Sequence, residues 1–148
     1  MHLDLFGPLR TQSLGEKYYA FIIVDDYSRF TWTLFLASKN DTFPEFSKFA
    51  KRVQSEKDYT IVKIRSNNGG KFLNKRFIEF CVFHGLEHNF SASRTPQQNG
   101  VVERKNRSIQ EMVRTMLNEN SLPKYFLVEA INTACYVLNR VSLRPILK

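Results

Sequence analysis

The feature that most constrains the fold is a pair of β-favouring runs joined by a short polar turn. Tyr18–Val24 and Phe30–Leu36 are rich in aromatic and β-branched residues, which are the residues that favour strands. Because only Asp25–Arg29 separates the two runs, we predict an antiparallel hairpin. His2–Phe6 predicts one more strand ahead of the hairpin. The first part of the chain is therefore expected to form three strands of one sheet.

Downstream of the hairpin, the spacing of apolar residues predicts four helices and two more short strands. Helices are expected to begin at polar capping residues and to end at glycine, whose backbone closes the last turn. The predicted elements are a helix capped by Asp41 and containing Phe43 to Val53, a strand at Thr60–Arg65, a turn at Asn67–Gly70, a helix capped by Asn74 and ended by Gly85, a strand at Leu86–Phe90, a helix at Val101–Asn118 and a helix from about Pro123. This order predicts a mixed α/β domain with a five-stranded sheet flanked by helices.

Composition narrows the class of protein. The 148 residues fit a single domain, and 43% hydrophobic residues exclude a disordered chain. No apolar run approaches the roughly 20 residues of a transmembrane helix, so we expect no membrane partner. Cys81 and Cys135 form no CxxC pair, which favours buried free thiols in a reducing, intracellular compartment. The formal net charge of +8 favours polyanionic partners, with nucleic acid first among them.

Two motifs carry more specific information. Residues 95–107 read TPQQNGVVERKNR, and residues 65–72 read RSNNGGKF. The first resembles the TPQQNGVAERKNR stretch of copia-type retrotransposon integrases, and the second is similar to their RSDNGGEF stretch. His2–Pro8 is similar to the family's H-x-D-L-x-G-P pattern, and Asp25–Arg29 and Leu122–Phe126 also match family patterns. The resemblance spans nearly the whole chain in the family's order.

This resemblance implies an RNase H-like fold and an integrase catalytic core domain over residues 1–148, expected to be a fragment of a longer polyprotein. It also implies a triad of two aspartates and a glutamate that holds two Mg²⁺ or Mn²⁺ ions. The matching positions are Asp4, Asn67 and Glu103, and the 35 residues of the segment 68–102 give the family's spacing between the last two. Anionic oxygens suit such ions, which stabilise the attacking and leaving oxygens of a phosphodiester.

The sequence departs from the family pattern at two positions beside this triad. Asn67 stands where the family has aspartate, and Lys71 stands where it has glutamate. An amide oxygen is a neutral and weaker ligand, so Asp4 and Glu103 remain as the only anionic metal ligands of the set. Lys71 makes the local potential less favourable to a cation and more favourable to phosphate. We therefore expect a copy whose metal binding is weakened or lost and whose strand transfer is impaired.

Other groups offer alternative interpretations. Asp25 and Asp26 end a strand of the same sheet and could replace the missing carboxylate, although capping a turn is the commoner role of such residues. His84 and His88 are four residues apart, which invites a zinc interpretation. Gly85 lies between them and ends the helix, so the two histidines are not expected to share a helical face.

The third predicted helix offers a surface for nucleic acid. Glu103, Arg107, Gln110 and Arg114 fall on one side of it, away from its apolar residues. A salt-bridged, purely structural helix face is the alternative interpretation of the same pattern. Cations placed there predict phosphate contacts that do not depend on sequence. The expected nucleic-acid-binding residues are Lys71, Arg94, Gln97, Gln98, Asn99, Arg104, Lys105, Arg107 and Arg114.

Three functional hypotheses follow from these observations. The first is a DNA-integration domain, by descent a metal-dependent polynucleotidyl transferase, with the element's ends and target DNA as partners. The second is a non-catalytic module that binds nucleic acid or protein and retains the integrase fold. The third, an unrelated basic α/β domain, would lack the five-stranded sheet. The resemblance also implies a homodimer or larger oligomer located in the nucleus or in cytoplasmic virus-like particles.

Overall fold

The computed structural model describes residues 1–9, 15–58, 60–67, 71–90 and 100–141. Within these residues a five-stranded sheet is flanked by four α-helices. The elements in chain order are β1 (His2–Phe6), β2 (Tyr19–Val24), β3 (Thr31–Leu36), α1 (Thr42–Lys57), β4 (Lys63–Ser66), α2 (Lys75–His84), β5 (Glu87–Phe90), α3 (Gly100–Glu119) and α4 (Leu127–Val141). The predicted mixed α/β class is confirmed.

The sheet has the order β3-β2-β1-β4-β5, so the first strand of the chain lies at its centre. The pairs β1–β2 and β2–β3 are antiparallel, which confirms the predicted hairpin. The pairs β1–β4 and β4–β5 are parallel, with His2 of β1 opposite Arg65 of β4. Residues that follow β1 and β4 along these parallel strands therefore leave the sheet at the same edge.

Side chains alternate between the two faces of the sheet and separate two hydrophobic layers. On one face Leu3, Phe21 and Ile23 pack against α1 and α2 in a layer that also holds Phe46 and Phe77. We call this layer the aromatic layer. The opposite face packs against α3 and α4 in a layer that we call the aliphatic layer. Its buried members are Ala20, Ile22, Val24, Val102, Ile109, Val113, Ala130, Ile131, Ala134 and Leu138.

Local signals placed the ends of α2 correctly. The side-chain oxygen of Asn74 accepts a hydrogen bond from the Phe77 backbone N–H at 2.9 Å, as expected of a helix cap. Gly85 follows α2 with a φ of 69°, a left-handed conformation that favours glycine. The Gly85 N–H donates to the carbonyls of Cys81 and Val82, which closes the last turn of the helix.

Asp41 is the N-cap residue of α1, as predicted, but its side chain makes no capping hydrogen bond. A 3₁₀ turn at Lys39–Asp41 precedes the helix, and the cap of that turn is Ser38. The Asp41 carboxylate accepts the Ser38 backbone N–H at 3.1 Å instead of an N–H of the first turn of α1. Similarly, a 3₁₀ turn at Lys124–Phe126 delays α4 until Leu127. The fourth strand begins at Lys63 and not at Thr60, and residues 68–70 of the predicted turn lie outside the described residues.

Candidate active site

Asp4 lies on the central strand and belongs to the face that α3 covers. Its neighbour Leu3 points into the aromatic layer, so the alternation of β1 places Asp4 toward α3. The Asn106 side-chain amide donates to Asp4 Oδ2 at 3.1 Å, across 102 positions of sequence. Gln110 Nε2 in turn donates to Asn106 Oδ1 at 3.1 Å. Helix α3 therefore holds the carboxylate through a two-step chain of amides.

Asn67 follows β4 at the same edge of the sheet. His2 is opposite Arg65, and counting two residues along each parallel strand leads to Asp4 and Asn67. Since β4 ends at Ser66, this register places Asn67 near Asp4, just beyond the end of the strand. Glu103 is in the first turn of α3, one helical turn before Asn106, and is exposed. Its charge is close enough to raise the pKa of Asp4, so the structure brings α3, β1 and β4 together at one edge.

The electrostatics of this edge depend on a lysine. Burial raises the pKa of Asp4, while the Lys71 ammonium and then the Asn106 hydrogen bond act in the opposite direction. Burial lowers the pKa of Lys71, and the Asp4 carboxylate opposes that effect. Lys71 and Asp4 are therefore near enough for each to feel the other's charge. The Lys71 ammonium group is therefore a positive charge of the protein itself beside the Asp4 carboxylate.

Lys71 also belongs to a basic cleft of about 760 Å³ between the end of β1 and the start of α2. The cations that line this cleft are Lys39, Lys71, Lys75 and Arg76. Arg76 lies over the Phe43 ring, with its guanidinium carbon 4.9 Å from the ring centroid. Lys75 forms an exposed salt bridge with Glu79 at 3.7 Å. We call this feature the β1–α2 cleft.

The basic residues of α3 do not form the single face that the sequence predicted. Arg114 lines an apolar cleft of about 460 Å³ together with Asn106 and Gln110. Arg104 and Lys105 instead line a separate pocket whose other walls come from the β2–β3 turn and α4. On a helix of 3.6 residues per turn, residues 104 and 105 point away from residue 106. Because α3 packs between the sheet and α4, Arg104 and Lys105 therefore face other neighbours than Arg114, which lies in the same cleft as Asn106.

The alternative carboxylates have structural partners. Asp25 Oδ2 accepts the Ser28 backbone N–H at 2.8 Å and the Ser28 hydroxyl at 2.7 Å, which caps the hairpin turn as expected. Asp26 Oδ1 lies 2.8 Å from His2 Nε2 and 3.0 Å from Arg29 Nη1. These contacts stabilise the turn.

The salt-bridged interpretation of α3 and the zinc interpretation of His84 and His88 both depend on side-chain contacts that the structure describes. In the part of the chain that the structure describes, no salt bridge joins Glu103 to Arg104 or Arg107, so a salt-bridged face is not formed. His84 is exposed at the end of α2 with its ring centroid 4.3 Å from that of Phe80. His88 is on β5, with Nε2 2.8 Å from the Ser66 hydroxyl. The two histidines therefore have different surroundings, as Gly85 between them predicted.

Sequence reasoning missed Asn106 and made some predictions that the structure does not reach. Asn106 was quoted only as part of a motif, although its position three residues after Glu103 places it near Glu103 on α3. Arg94, Gln97, Gln98 and Asn99 lie outside the described residues. The four remain predicted nucleic-acid contacts.

A comparison with protein families identifies the domain. Residues 1–96 match the model of the integrase core domain family. The chain belongs to that family. It is 40% identical over 146 residues to a retrovirus-related Pol polyprotein from transposon TNT 1-94 of Nicotiana tabacum, covering 99% of this chain and 11% of that protein. It is 35% identical over 129 residues to the Pol polyprotein from transposon RE2 of Arabidopsis thaliana, covering 87% of this chain and 9% of that protein.

Solved structures agree on the fold of this integrase core domain. The catalytic core domain of HTLV-2 integrase, in complex with magnesium and in a trimeric form, superposes with a TM-score of 0.66 at 23% identity. That match covers 98% of this chain and 87% of the other. The simian T-cell lymphotropic virus intasome with a PP2A regulatory subunit gives a TM-score of 0.73 at 16% identity, covering 99% of this chain and 50% of that one. The RNase H-like fold is confirmed.

The chain spans only about a tenth of the length of the polyproteins that it resembles. Among the helices that the structure describes, none has the length and apolar character needed to cross a membrane.

Proposed function

We propose that this chain is a retrotransposon integrase core domain that binds DNA through its basic surfaces and has lost most of its metal-dependent catalysis. The observation that supports the proposal is that Lys71 and Glu103 both lie within electrostatic range of Asp4, at the end of the sheet where Asn67 follows β4. An integrase core with three carboxylates there would attract cations. This edge has one carboxylate fewer and one ammonium group more.

The donor set does not fit a pair of divalent cations. Two ions roughly 3.5–4 Å apart would polarise the phosphodiester and its attacking oxygen, and such ions prefer anionic oxygen ligands. Asp4 and Glu103 supply two carboxylates, but the third position of the set holds the neutral Asn67. One oxygen of Asp4 already accepts a hydrogen bond from Asn106. Because like charges repel, the Lys71 ammonium further disfavours a second cation.

The loss of a carboxylate at Asn67 and the gain of the Lys71 ammonium group favour the binding of phosphate. Four cations line the β1–α2 cleft, which lies beside Asp4 because Lys71 belongs to both. Lysine and arginine neutralise backbone phosphates without reading bases, so binding there is expected to be salt-dependent and tolerant of sequence. Arg107 adds an exposed cation on α3, one turn after Glu103. DNA is therefore the partner that the charges of this edge support best.

The binding half of the proposal is tested by measuring the affinity for a short DNA duplex at several salt concentrations. Arg76→Gln and Arg107→Gln should each reduce the slope of log affinity against log salt by about 0.9, the effect of one lost phosphate contact. Arg52→Gln removes the same charge from the exposed outer face of α1 and should leave the slope within error. Affinity that does not change with salt would overturn this half.

The catalytic half is tested by assaying the disintegration of a branched DNA substrate. The unmodified chain should show no turnover above background with Mg²⁺ or Mn²⁺. Glu103→Gln is the matched control, since it removes a carboxylate and keeps the side chain's size. Turnover by the unmodified chain that Glu103→Gln abolishes would show that the site tolerates Asn67, and the loss of catalysis would be disproved.

The oligomeric state belongs to the same proposal. The HTLV-2 core was solved in dimeric and trimeric forms, and we propose self-association of this chain as well. Light scattering coupled to size exclusion should then give a mass of at least twice the monomer's 17.4 kDa. A monomer at all accessible concentrations would remove this part of the proposal and leave the DNA-binding part intact.

A further inference from the structure

A second basic pocket lies on the side of α3 that faces away from Asp4. Its cations are Arg29 from the turn between β2 and β3 and Arg104 and Lys105 from α3. Val101 and Leu138 supply apolar walls, and Ser108 adds a hydroxyl group. The pocket encloses about 240 Å³, which suits a single small polar group better than a folded segment. We call it the α3–hairpin pocket.

Arg29 is fixed in place by its own turn. Its φ of 67° is left-handed, an uncommon conformation for a residue with a side chain. Its Nη1 donates to the Asp26 carbonyl at 2.6 Å and to Asp26 Oδ1 at 3.0 Å. The turn itself is closed by the hydrogen bonds from Ser28 to Asp25. A cation held in this way loses little further freedom when an anion binds.

Arg104 and Lys105 have no acidic partner in the described part of the chain, where every salt bridge joins other residues. Gly100 permits the position of Arg104, because a Cβ atom at residue 100 would lie 2.9 Å from Arg104 Nη1. Burial lowers the pKa of Lys105, and the positive charge of Arg29 lowers it further. Cys135 also faces Lys105, but burial raises the pKa of that thiol, so it stays neutral.

The nearby carboxylates offset only part of the charge of this pocket. Asp25 is used by Ser28, and Asp26 is shared between Arg29 and His2. The pocket also lies at the first turns of α3, a helix of 20 residues whose N-terminal end contributes a positive potential. Asp26 offsets the charge of Arg29, so Arg104 and Lys105 leave the pocket with an excess of positive charge beside the Ser108 hydroxyl group. The chemistry that satisfies such a set is a phosphate oxygen cluster.

We infer that the α3–hairpin pocket is a phosphate-binding site, separate from the edge around Asp4, and that it takes a backbone phosphate of nucleic acid. The assignment of the phosphate to nucleic acid rests on the DNA binding proposed above. The existence of the site does not, since its geometry is independent of the triad. It also gives a common role to two motifs, Asp25–Arg29 and the stretch around Arg104, that the sequence places 70 or more residues apart.

The test uses the full chain and two probes, pyrophosphate and a short DNA duplex. Arginine side-chain Nε–Hε resonances of Arg29 and Arg104 are followed by NMR as pyrophosphate is added. Saturable shifts of the Arg29 resonance are expected, and Arg104→Gln should weaken that binding about tenfold, the value of one charge-assisted contact. Lys105→Gln should act in the same direction. Arg52→Gln, an exposed charge removal on α1, is the control and should leave the curve unchanged.

The duplex distinguishes the two sources of phosphate. If Arg104→Gln weakens both probes and lowers the DNA salt slope by about 0.9, the site takes backbone phosphate. If it weakens pyrophosphate alone, the pocket stands as a phosphate site and its assignment to nucleic acid is overturned. If pyrophosphate shifts Arg29 while the unmodified chain fails to bind DNA, the proposed function fails and the pocket survives. Pyrophosphate shifts at Arg29 that are absent, unsaturable or equal in Arg104→Gln would overturn the site itself.

Discussion

The two faces of the sheet are packed in different ways, and only one of them carries the candidate catalytic residues. In the aromatic layer Phe46 and Phe77 stack with ring centroids 5.0 Å apart, and neighbouring rings surround both. The aliphatic layer has smaller side chains, and a cleft of about 460 Å³ opens between β1, α3 and α4. From the wall of that cleft the Asn106 amide donates to Asp4, and Gln110 donates to Asn106.

The two faces of the sheet therefore have different roles. Leu3 anchors β1 in the aromatic layer, while Asp4, the next residue, faces the amide chain of α3. Because one face is filled by rings, the central strand can stay fixed while its other face holds a half-buried carboxylate at an energetic cost. We expect stability to come mainly from the aromatic layer and the polar chemistry to lie on the other face.

The largest change in the free energy of unfolding is expected when a ring of the aromatic layer is removed. Phe46→Ala deletes a fully buried ring between α1 and the sheet and should lower the free energy of unfolding by about 3–5 kcal/mol. Phe83→Ala makes the same chemical change on α2, where the ring is 85% exposed, and should change stability by less than about 0.5 kcal/mol. Urea unfolding of both variants checks this. Equal losses would show that the aromatic layer is not the main source of stability.

A pH-dependent effect of intermediate size should come from His88. Burial lowers the pKa of His88 from 6.5 to about 4, so the unfolded chain takes up a proton first as pH falls. This contribution to stability is fully present above pH 6.5, decreases as pH falls toward 4, and amounts to about 3 kcal/mol. His88→Phe keeps an aromatic ring between Phe77 and Phe90 and should flatten the profile in that window. Parallel profiles for the two proteins would show that His88 does not titrate as described.

The smallest change in stability is expected at Asp4, on the other face of the sheet, where substitution should stabilise the chain. Burial raises the pKa of Asp4, so its ionisation costs stability as pH rises above the carboxyl's ordinary range. Asp4→Asn keeps an oxygen that can accept the Asn106 hydrogen bond and should stabilise the chain at neutral pH by about 0.5–2 kcal/mol. Thermal unfolding at pH 7 measures this. A loss of stability would mean that attraction to Lys71 outweighs the burial cost.

Local signals were enough for the hairpin, for β1 and for the cap and end of α2, because each depends on a few adjacent residues such as Asn74 or Gly85. The start of α1 was predicted at the right residue, but the Ser38 backbone N–H competes for the Asp41 carboxylate, which therefore does not cap the helix. Such competition depends on whether a 3₁₀ turn forms, which propensity alone does not decide.

The candidate site was predicted unevenly for a physical reason. Asp4, Asn67 and Glu103 were found through a family resemblance, which supplies long-range pairing that periodicity cannot. Asn106 was missed because its partner is 102 residues away. The separation of Arg104 from Arg114 was also missed, since it depends on how α4 and the hairpin pack against α3. Helical periodicity gives the direction of a side chain but not the neighbour that it meets.

The most direct test of the central claim is a calorimetric Mn²⁺ titration of the unmodified chain, Asn67→Asp, and Asn67→Asp with Lys71→Glu. Each change adds negative charge beside Asp4, so affinity should rise in that order, by about tenfold or more at the first step. Glu103→Gln in the double variant should remove the gain. If the unmodified chain binds Mn²⁺ as tightly as Asn67→Asp, and Glu103→Gln weakens both equally, Asn67 does not impair the site and the central claim is wrong.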